Sequence, residues 1–238
     1  MVIADEHIQP DTEQQLEQEE WSASGPLGLL AVALGMMGLM GLLWLGGISP
    51  SPLTWYLARA SGFTLYLLFW LATLSGLLMS TKVLGFSSSR PVVWQIHRTA
   101  TSLGYAFLGL HILSLAFDPT VPLGFRGVLV PFTSDVRQPW TDLGILTAYG
   151  MVIVTASFSL RGAIGTRLWR LLHYGTFPLW ITALLHGIGA GSDSTSLWAV
   201  AIYLPTTGLI AFLTLYRLMG AVNRRLEPSA ASSAPPQG

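Results

Sequence analysis

The chain of 238 residues contains no cysteine and few charged residues. The missing thiols exclude disulfides, thiolate ligation of haem and cysteine-bound iron–sulfur clusters. Charged residues make up 10% of the chain, against about 25% in an average soluble domain. The net charge is zero, so no overall field favours nucleic acid or an acidic substrate as a partner.

Two sequence signatures are also missing. No G-x-G-x-x-G between a strand and a helix is present, so we expect no dinucleotide-binding domain within this chain. The first residues lack the basic segment of a secretory signal, because residues 5–20 are acidic. We therefore expect residues 1–26 to form an acidic cytoplasmic tail.

What the chain has in abundance is apolar sequence, with a mean hydropathy of +0.55. Six apolar runs are near the roughly 20 residues that span a bilayer. Lipid offers no partner to unpaired backbone groups, and the alternation typical of membrane strands is missing, so the spans should be helices. The sequence predicts an all-α membrane protein, a six-transmembrane-helix bundle over residues 27–220, followed by a flexible tail over 221–238. The spans are 27–48, 55–79, 91–117, 140–160, 168–189 and 197–219.

The distribution of lysine and arginine predicts the orientation. With six spans, both termini and the loops after spans two and four lie on one side of the membrane. That side carries nine lysines and arginines and the other side three. The positive-inside rule then places both termini in the cytoplasm, in an inner or plasma membrane.

Four of the five histidines lie in two of these spans. His97 and His111, in the third span, are 14 residues apart, and His173 and His186, in the fifth, are 13 apart. Ionisable side chains inside a membrane are costly and usually functional. Distances from the span ends place His97 and His173 at an inner level and His111 and His186 at an outer level about 20 Å away. The alternative is a structural role, in which each imidazole forms a hydrogen bond with a serine or a backbone carbonyl.

The available ligands favour haem over a zinc or copper ion that is held by protein side chains alone. Each level offers two imidazoles, without the Cys, Asp or Glu that would complete a zinc or copper shell inside the spans. Haem needs two axial ligands, and two histidines favour electron transfer over oxygen binding. Thirteen residues leave a mismatch of about 140° on an ideal helix, so His173 and His186 need a distortion. We predict a kink or bulge near Phe177–Pro178.

These motifs resemble those of the ferric-reductase-like transmembrane domain, over roughly residues 50–220. That family includes ferric reductases, the membrane domains of NADPH oxidases and the haem subunits of bacterial methionine sulfoxide reductase systems. The similarity lies in the two histidine pairs, in the segment from Arg161 to Tyr174 (RGAIGTRLWRLLHY) and in His186-Gly187. The resemblance implies two haem b groups with histidines as metal ligands, the inner held by His97 and His173 and the outer by His111 and His186.

Three arginines are candidates for binding haem propionates. Arg59 resembles the arginine beside the outer haem of the oxidases, and guanidinium pairs well with carboxylate. The alternative is an interfacial arginine that extends to the membrane surface. Arg98 and Arg170 lie at the level of the inner pair, where ordinary positive-inside topology is the alternative.

Two departures from the family limit the functional prediction. We expect no flavin or nicotinamide domain in this chain, and Leu115 stands where the oxidases of the family carry a further histidine, which argues against superoxide production. We therefore expect a dihaem b-type cytochrome that moves electrons across the membrane to or from a separate flavoprotein, quinone, other redox subunit or ferric iron. If it is an enzyme, it is a transmembrane oxidoreductase that needs a partner as donor.

Two other functions stay open at this point. One is a non-catalytic haem-binding membrane subunit of a larger electron-transfer or photosynthetic complex. The weaker one is a transporter with histidine proton relays, which would normally want membrane-embedded Asp or Glu. Each of these proteins would have membrane lipid as a partner and no nucleic acid.

Overall fold

The computed structural model describes residues 52–81 and 90–226, with five isolated positions at 35, 38, 39, 42 and 46. The side chains of 224–226 are not among those described. The predicted acidic tail, nearly all of the predicted first span and residues 227–238 lie outside the described residues. Seven helices lie in the two continuous described ranges: α1 (Leu53–Thr81), α2 (Arg90–Ala116), α3 (Gly124–Leu129), α4 (Trp140–Ser159), α5 (Arg161–Tyr174), α6 (Thr176–Ala190) and α7 (Leu197–Leu226).

Four of these helices are long and apolar enough to cross a membrane. They are α1, α2, α4 and the Leu197–Asn223 part of α7, which correspond to the predicted second, third, fourth and sixth spans. Large apolar side chains point away from the protein, as Leu204, Phe212 and Leu215 do at 68%, 63% and 60% exposure. Such side chains are stable in lipid, so the chain is an integral membrane protein.

Two predicted segments differ from the structure. Helix α7 continues to Leu226, so the segment predicted as a flexible tail from 221 begins with helix. The predicted fifth span, 168–189, is two helices of 14 and 15 residues, α5 and α6, separated by Gly175. Neither is as long as a span, so the described residues do not reproduce six continuous spans.

The break in the fifth span lies one turn before Pro178. A proline has no amide hydrogen for the carbonyl four residues earlier, here that of Tyr174, and its ring crowds that carbonyl. The Gly175 amide instead donates to the Leu172 carbonyl at 2.9 Å, a tighter turn than the α-helix has. The helix is therefore interrupted close to the place where a kink or bulge was predicted, three residues before Pro178. A second break lies at Gly165, whose φ of 79° and ψ of 156° suit glycine.

Helix α1 is at the centre of the bundle. It packs along α2 on one side and contacts α6 and α7 on the other, while α4 packs against α5 and α6. Buried side chains of α1, α6 and α7 form the core, among them Phe69, Trp180 and Leu213. Helices α2 and α6 are not packed against each other to any extent, so a space is left between the two helices that carry His111 and His186.

Candidate functional site

The structure brings the four histidines together as two pairs. The ring centres of His97 and His173 are 6.4 Å apart, with the ring planes at 64°. Those of His111 and His186 are 6.3 Å apart, with the planes at 83°. Helix α2 carries one member of each pair, and α5 and α6 carry the others. The break at Gly175 lets His173 and His186 face the same neighbour although 13 residues do not complete whole helical turns.

Three of the four rings are held in the same way. The Nδ1 atoms of His97, His111 and His186 each lie 2.8 Å from a backbone carbonyl oxygen, of Ala72, Ala58 and Trp140 respectively. A carbonyl can only accept, so Nδ1 carries the hydrogen, and in a neutral imidazole Nε2 keeps its lone pair. Histidines that ligate metals are commonly oriented by this bond to a carbonyl.

A glycine follows each of these three carbonyls by four residues. An added Cβ on Gly144 would lie 2.5 Å from Cε1 and Nδ1 of His186, and one on Gly62 would lie 3.1 Å from the same atoms of His111. At Gly76 the clearance to the His97 ring is 3.7 Å. Since Cβ atoms point toward the preceding turn, a missing side chain at this position opens the path to the carbonyl. We call the three positions the glycine cradles.

Two of the cradles form a sequence repeat within α1. Ala58-x-x-Ser61-Gly62 and Ala72-x-x-Ser75-Gly76 are 14 residues apart, the same spacing as His97 and His111 on α2. Each serine hydroxyl donates mainly to the carbonyl four residues earlier, of Leu57 and of Leu71. It also lies within reach of the alanine carbonyl that accepts from histidine, at 3.2 Å for Ala58 and 2.9 Å for Ala72. This repeat was not foreseen, although the shared spacing on consecutive spans was a detectable signal in the sequence.

His173 is held differently from the other three. Its ring stacks on Trp169, with centres 5.4 Å apart and planes at 27°, and among the described residues its ring nitrogens make no hydrogen bond. Arg161 lies over the Trp169 ring, with its guanidinium carbon 5.5 Å from the ring centre. On the other side of the pair, Trp94 stacks on His97 at 5.9 Å.

A cavity of about 460 Å³ surrounds the pair His111 and His186. Its walls are mostly apolar and include Phe69 and Leu115. The long loop between α2 and α4 contributes residues 120–123 and 136–137 to the lining. This loop therefore covers the site at that end of the bundle.

The three predicted arginines lie in different surroundings. Arg59 lines the cavity, forms an ion pair with Asp193 and lies over the Trp55 ring. The Asp193 partner was not foreseen. Arg98 is half-buried next to His97. Arg170 is exposed, and its Nε donates to the Thr166 carbonyl of its own helix at 3.3 Å.

Asp118 connects the cavity loop to α1. Its Oδ2 accepts from the Thr54 hydroxyl at 2.8 Å, and its Oδ1 accepts from the amides of Thr120 and Val121 at 2.8 and 3.0 Å. Burial raises the pKa of this carboxyl, but the hydrogen bonds together lower it more, so the pKa lies below the ordinary 3.8. The carboxylate is thus ionised, and both of its oxygens accept hydrogen bonds that hold the loop against α1.

Few other side chains that could ligate a metal ion lie near the histidines. Within the described ranges 52–81 and 90–226, no three His, Cys, Asp or Glu side chains are grouped as for a protein-only metal site. Comparison with models of protein families, with curated proteins and with solved structures found no match.

Proposed function

We propose that this chain is a dihaem b-type cytochrome of a membrane, which carries electrons between two levels of the bundle and exchanges them with a separate redox partner. The observation that carries the proposal is the arrangement of the two histidine pairs. A metal–imidazole bond of about 2.0 Å, with roughly 1.1 Å from nitrogen to ring centre, separates the ring centres of two opposed ligands by about 6.2 Å. The observed separations are 6.4 and 6.3 Å.

The hydrogen bonds distinguish ligation from simple ring contact. Aromatic rings in ordinary contact have centres about 4.5–7 Å apart, so distance alone does not decide. In three rings, however, Nδ1 is directed to a carbonyl, which leaves Nε2 for a different partner. A buried histidine with a purely structural role needs only a hydrogen-bond partner for its ring. It would not need a second histidine opposite it, yet such a pair occurs at both levels of the bundle.

Haem fits this donor set better than a bare metal ion does. Two imidazoles per level leave four positions that a porphyrin supplies. The cavity around His111 and His186 is of the size of small-molecule sites and has mostly apolar walls. Two buried donors without a partner in the described part of the chain lie near the pairs, Arg59 Nε and Trp169 Nε1. Either would suit a propionate carboxylate.

The chain's own residues define what the site does. A bound haem supplies one-electron redox chemistry. The carbonyls of Ala58, Ala72 and Trp140 fix the ring orientations, and the 14 residues between His97 and His111 separate the levels by about 21 Å along α2. We infer that electrons reach or leave this pathway through a separate flavoprotein, quinone or other redox subunit.

The test is the reduced-minus-oxidised optical spectrum of the purified protein with its haem-to-chain ratio. We expect a b-type α-band and two haems per chain, falling to one in His97→Leu and in His111→Leu. His7→Leu is the matched control and should keep two. A colourless protein, or a ratio that the His97 and His111 variants leave unchanged, would overturn the proposal.

The same variants separate this function from that of a haem-binding subunit without an electron path. In membranes that contain the partner, His111→Leu should abolish electron transfer across the bilayer while assembly stays normal. If transfer survives with the haem lost, the pathway through this level is wrong.

A further inference from the structure

The two histidine pairs differ in how their rings are held. In the 111/186 pair both rings donate Nδ1–H to a backbone carbonyl at 2.8 Å. In the 97/173 pair His97 does so, whereas His173 stacks on Trp169. A hydrogen bond from Nδ1–H makes the imidazole more basic and a stronger donor to a metal. Stronger donation stabilises the oxidised metal, so it lowers the midpoint potential.

The charges around the two pairs differ as well. At the 97/173 end of the bundle the described side chains include six arginines and no Asp or Glu, while the four described aspartates all lie toward the other end. The arginines are Arg90, Arg98, Arg161, Arg167, Arg170 and Arg217, and the aspartates are Asp118, Asp135, Asp142 and Asp193.

Two of these arginines approach His173 through an aromatic neighbour of its ring. Arg161 lies over Trp169, which stacks on His173. Arg217 lies over the ring of Tyr174, the next residue, at 5.5 Å. At the other end, Arg59 is paired with Asp193, so its charge is largely offset. Positive charge near a redox site disfavours the oxidised form, the more so where water is scarce.

We propose that the chain holds the 97/173 site at a higher midpoint potential than the 111/186 site. The ring hydrogen bonds and the charges act in the same direction. The enclosure of the 111/186 pair in the apolar cavity acts the other way, because a dry site disfavours a charged, oxidised group. The six arginines without a carboxylate at the 97/173 end are the larger difference between the two sites. When the two sites together hold one electron, that electron resides at the 97/173 site, and the 111/186 site stays oxidised. This inference rests on the proposed function, since each pair must hold a redox-active haem. It makes the internal transfer downhill from the 111/186 level to the 97/173 level.

The experiment is an optical redox titration of the full chain in detergent. The wild type should titrate in two steps. His111→Leu keeps the 97/173 site and should retain the step at higher potential. His97→Leu keeps the 111/186 site and should retain the step at lower potential. A reversed assignment, or two steps that coincide, would overturn the inference. The proposed function would still stand in that case, because both haems would be present; an absent b-type α-band would instead overturn the proposed function itself.

A second set of variants leaves every ligand in place. Arg161→Gln and Arg217→Gln each remove one positive charge near His173, so each should shift the upper step to lower potential and leave the lower step unmoved. Arg126→Gln, in α3 at the other end of the bundle, is the matched control and should not move the upper step. If the arginine variants move the lower step, the assignment of the higher potential to the 97/173 site is wrong, even when a histidine variant fails to accumulate.

Discussion

The glycine cradles predict a graded set of defects, of which Gly144→Ala is the largest. The new Cβ would lie 2.5 Å from Cε1 and Nδ1 of His186, whereas carbon atoms in contact lie about 3.5–4.0 Å apart. The ring must therefore withdraw by about 1 Å. Its Nδ1–carbonyl distance to Trp140, now 2.8 Å, would then exceed the roughly 3.2 Å limit of a normal hydrogen bond.

The size of the effect follows from the lost bond. Removing the hydrogen bond that orients a ligating histidine typically weakens metal binding by about 10- to 100-fold. We expect Gly144→Ala to lose haem from the 111/186 site to that extent, with the haem-to-chain ratio approaching one when haem is limiting. Alanine favours helix over glycine by about 1 kcal/mol, so weaker helix formation in α4 cannot account for the loss. The assay is a haem titration of purified apoprotein followed at the Soret band.

The other glycines supply the controls. Gly62→Ala, with a clearance of 3.1 Å to His111, should have an intermediate effect, and Gly76→Ala, with 3.7 Å to His97, should bind haem nearly as the wild type does. Gly208→Ala, which meets nothing within 4 Å, should be unchanged. The reasoning is refuted if Gly76→Ala is as damaging as Gly144→Ala, or if Gly144→Ala retains two haems with unaltered affinity.

Three further predictions concern stability, each measured by thermal unfolding in detergent. Asp118→Ala removes the acceptor that holds the cavity loop, so we expect it to lower the free energy of unfolding by about 1–3 kcal/mol at pH 7. Because the pKa of Asp118 is lowered in the folded protein, its contribution is present above the ordinary value of 3.8 and lost as pH falls through the lower folded value. The Tm difference between wild type and Asp118→Ala should thus shrink below about pH 4, and a constant difference from pH 7 to pH 3 would contradict this. Tyr66→Phe removes the hydroxyl that lies 2.7 Å from Thr206 Oγ1 between α1 and α7, and should cost about 0.6 kcal/mol, whereas Tyr56→Phe at a 57% exposed position should cost nothing measurable.

The apolar runs were sufficient to locate four of the predicted spans. The second span was predicted as 55–79 and is Leu53–Thr81, and the third was predicted as 91–117 and is Arg90–Ala116. Length and hydropathy decide these boundaries because lipid penalises any interruption of the helix. The fifth span was harder, since the N-terminal part of α5 is rich in arginine and its helix begins at Arg161, before the apolar run.

The predicted depths of the histidines in the membrane were enough to pair them. The hydrogen bonds that orient their rings could not be predicted. The carbonyls of Ala58, Ala72 and Trp140 are backbone atoms, and no residue type at those positions reveals that a neighbouring ring donates to them. Gly62 and Gly144 could have been read as ordinary close-packing glycines. The ion pair of Arg59 with Asp193 joins residues 134 positions apart, a contact that sequence periodicity cannot predict.

Electron paramagnetic resonance of the oxidised protein, with spins counted per chain, tests the central claim most directly. The claim is that His97 with His173, and His111 with His186, each ligate one haem iron from both sides. It predicts two low-spin ferric signals per chain, because two axial imidazoles leave no open position. Absence of any haem signal, or high-spin signals at both sites, would contradict it.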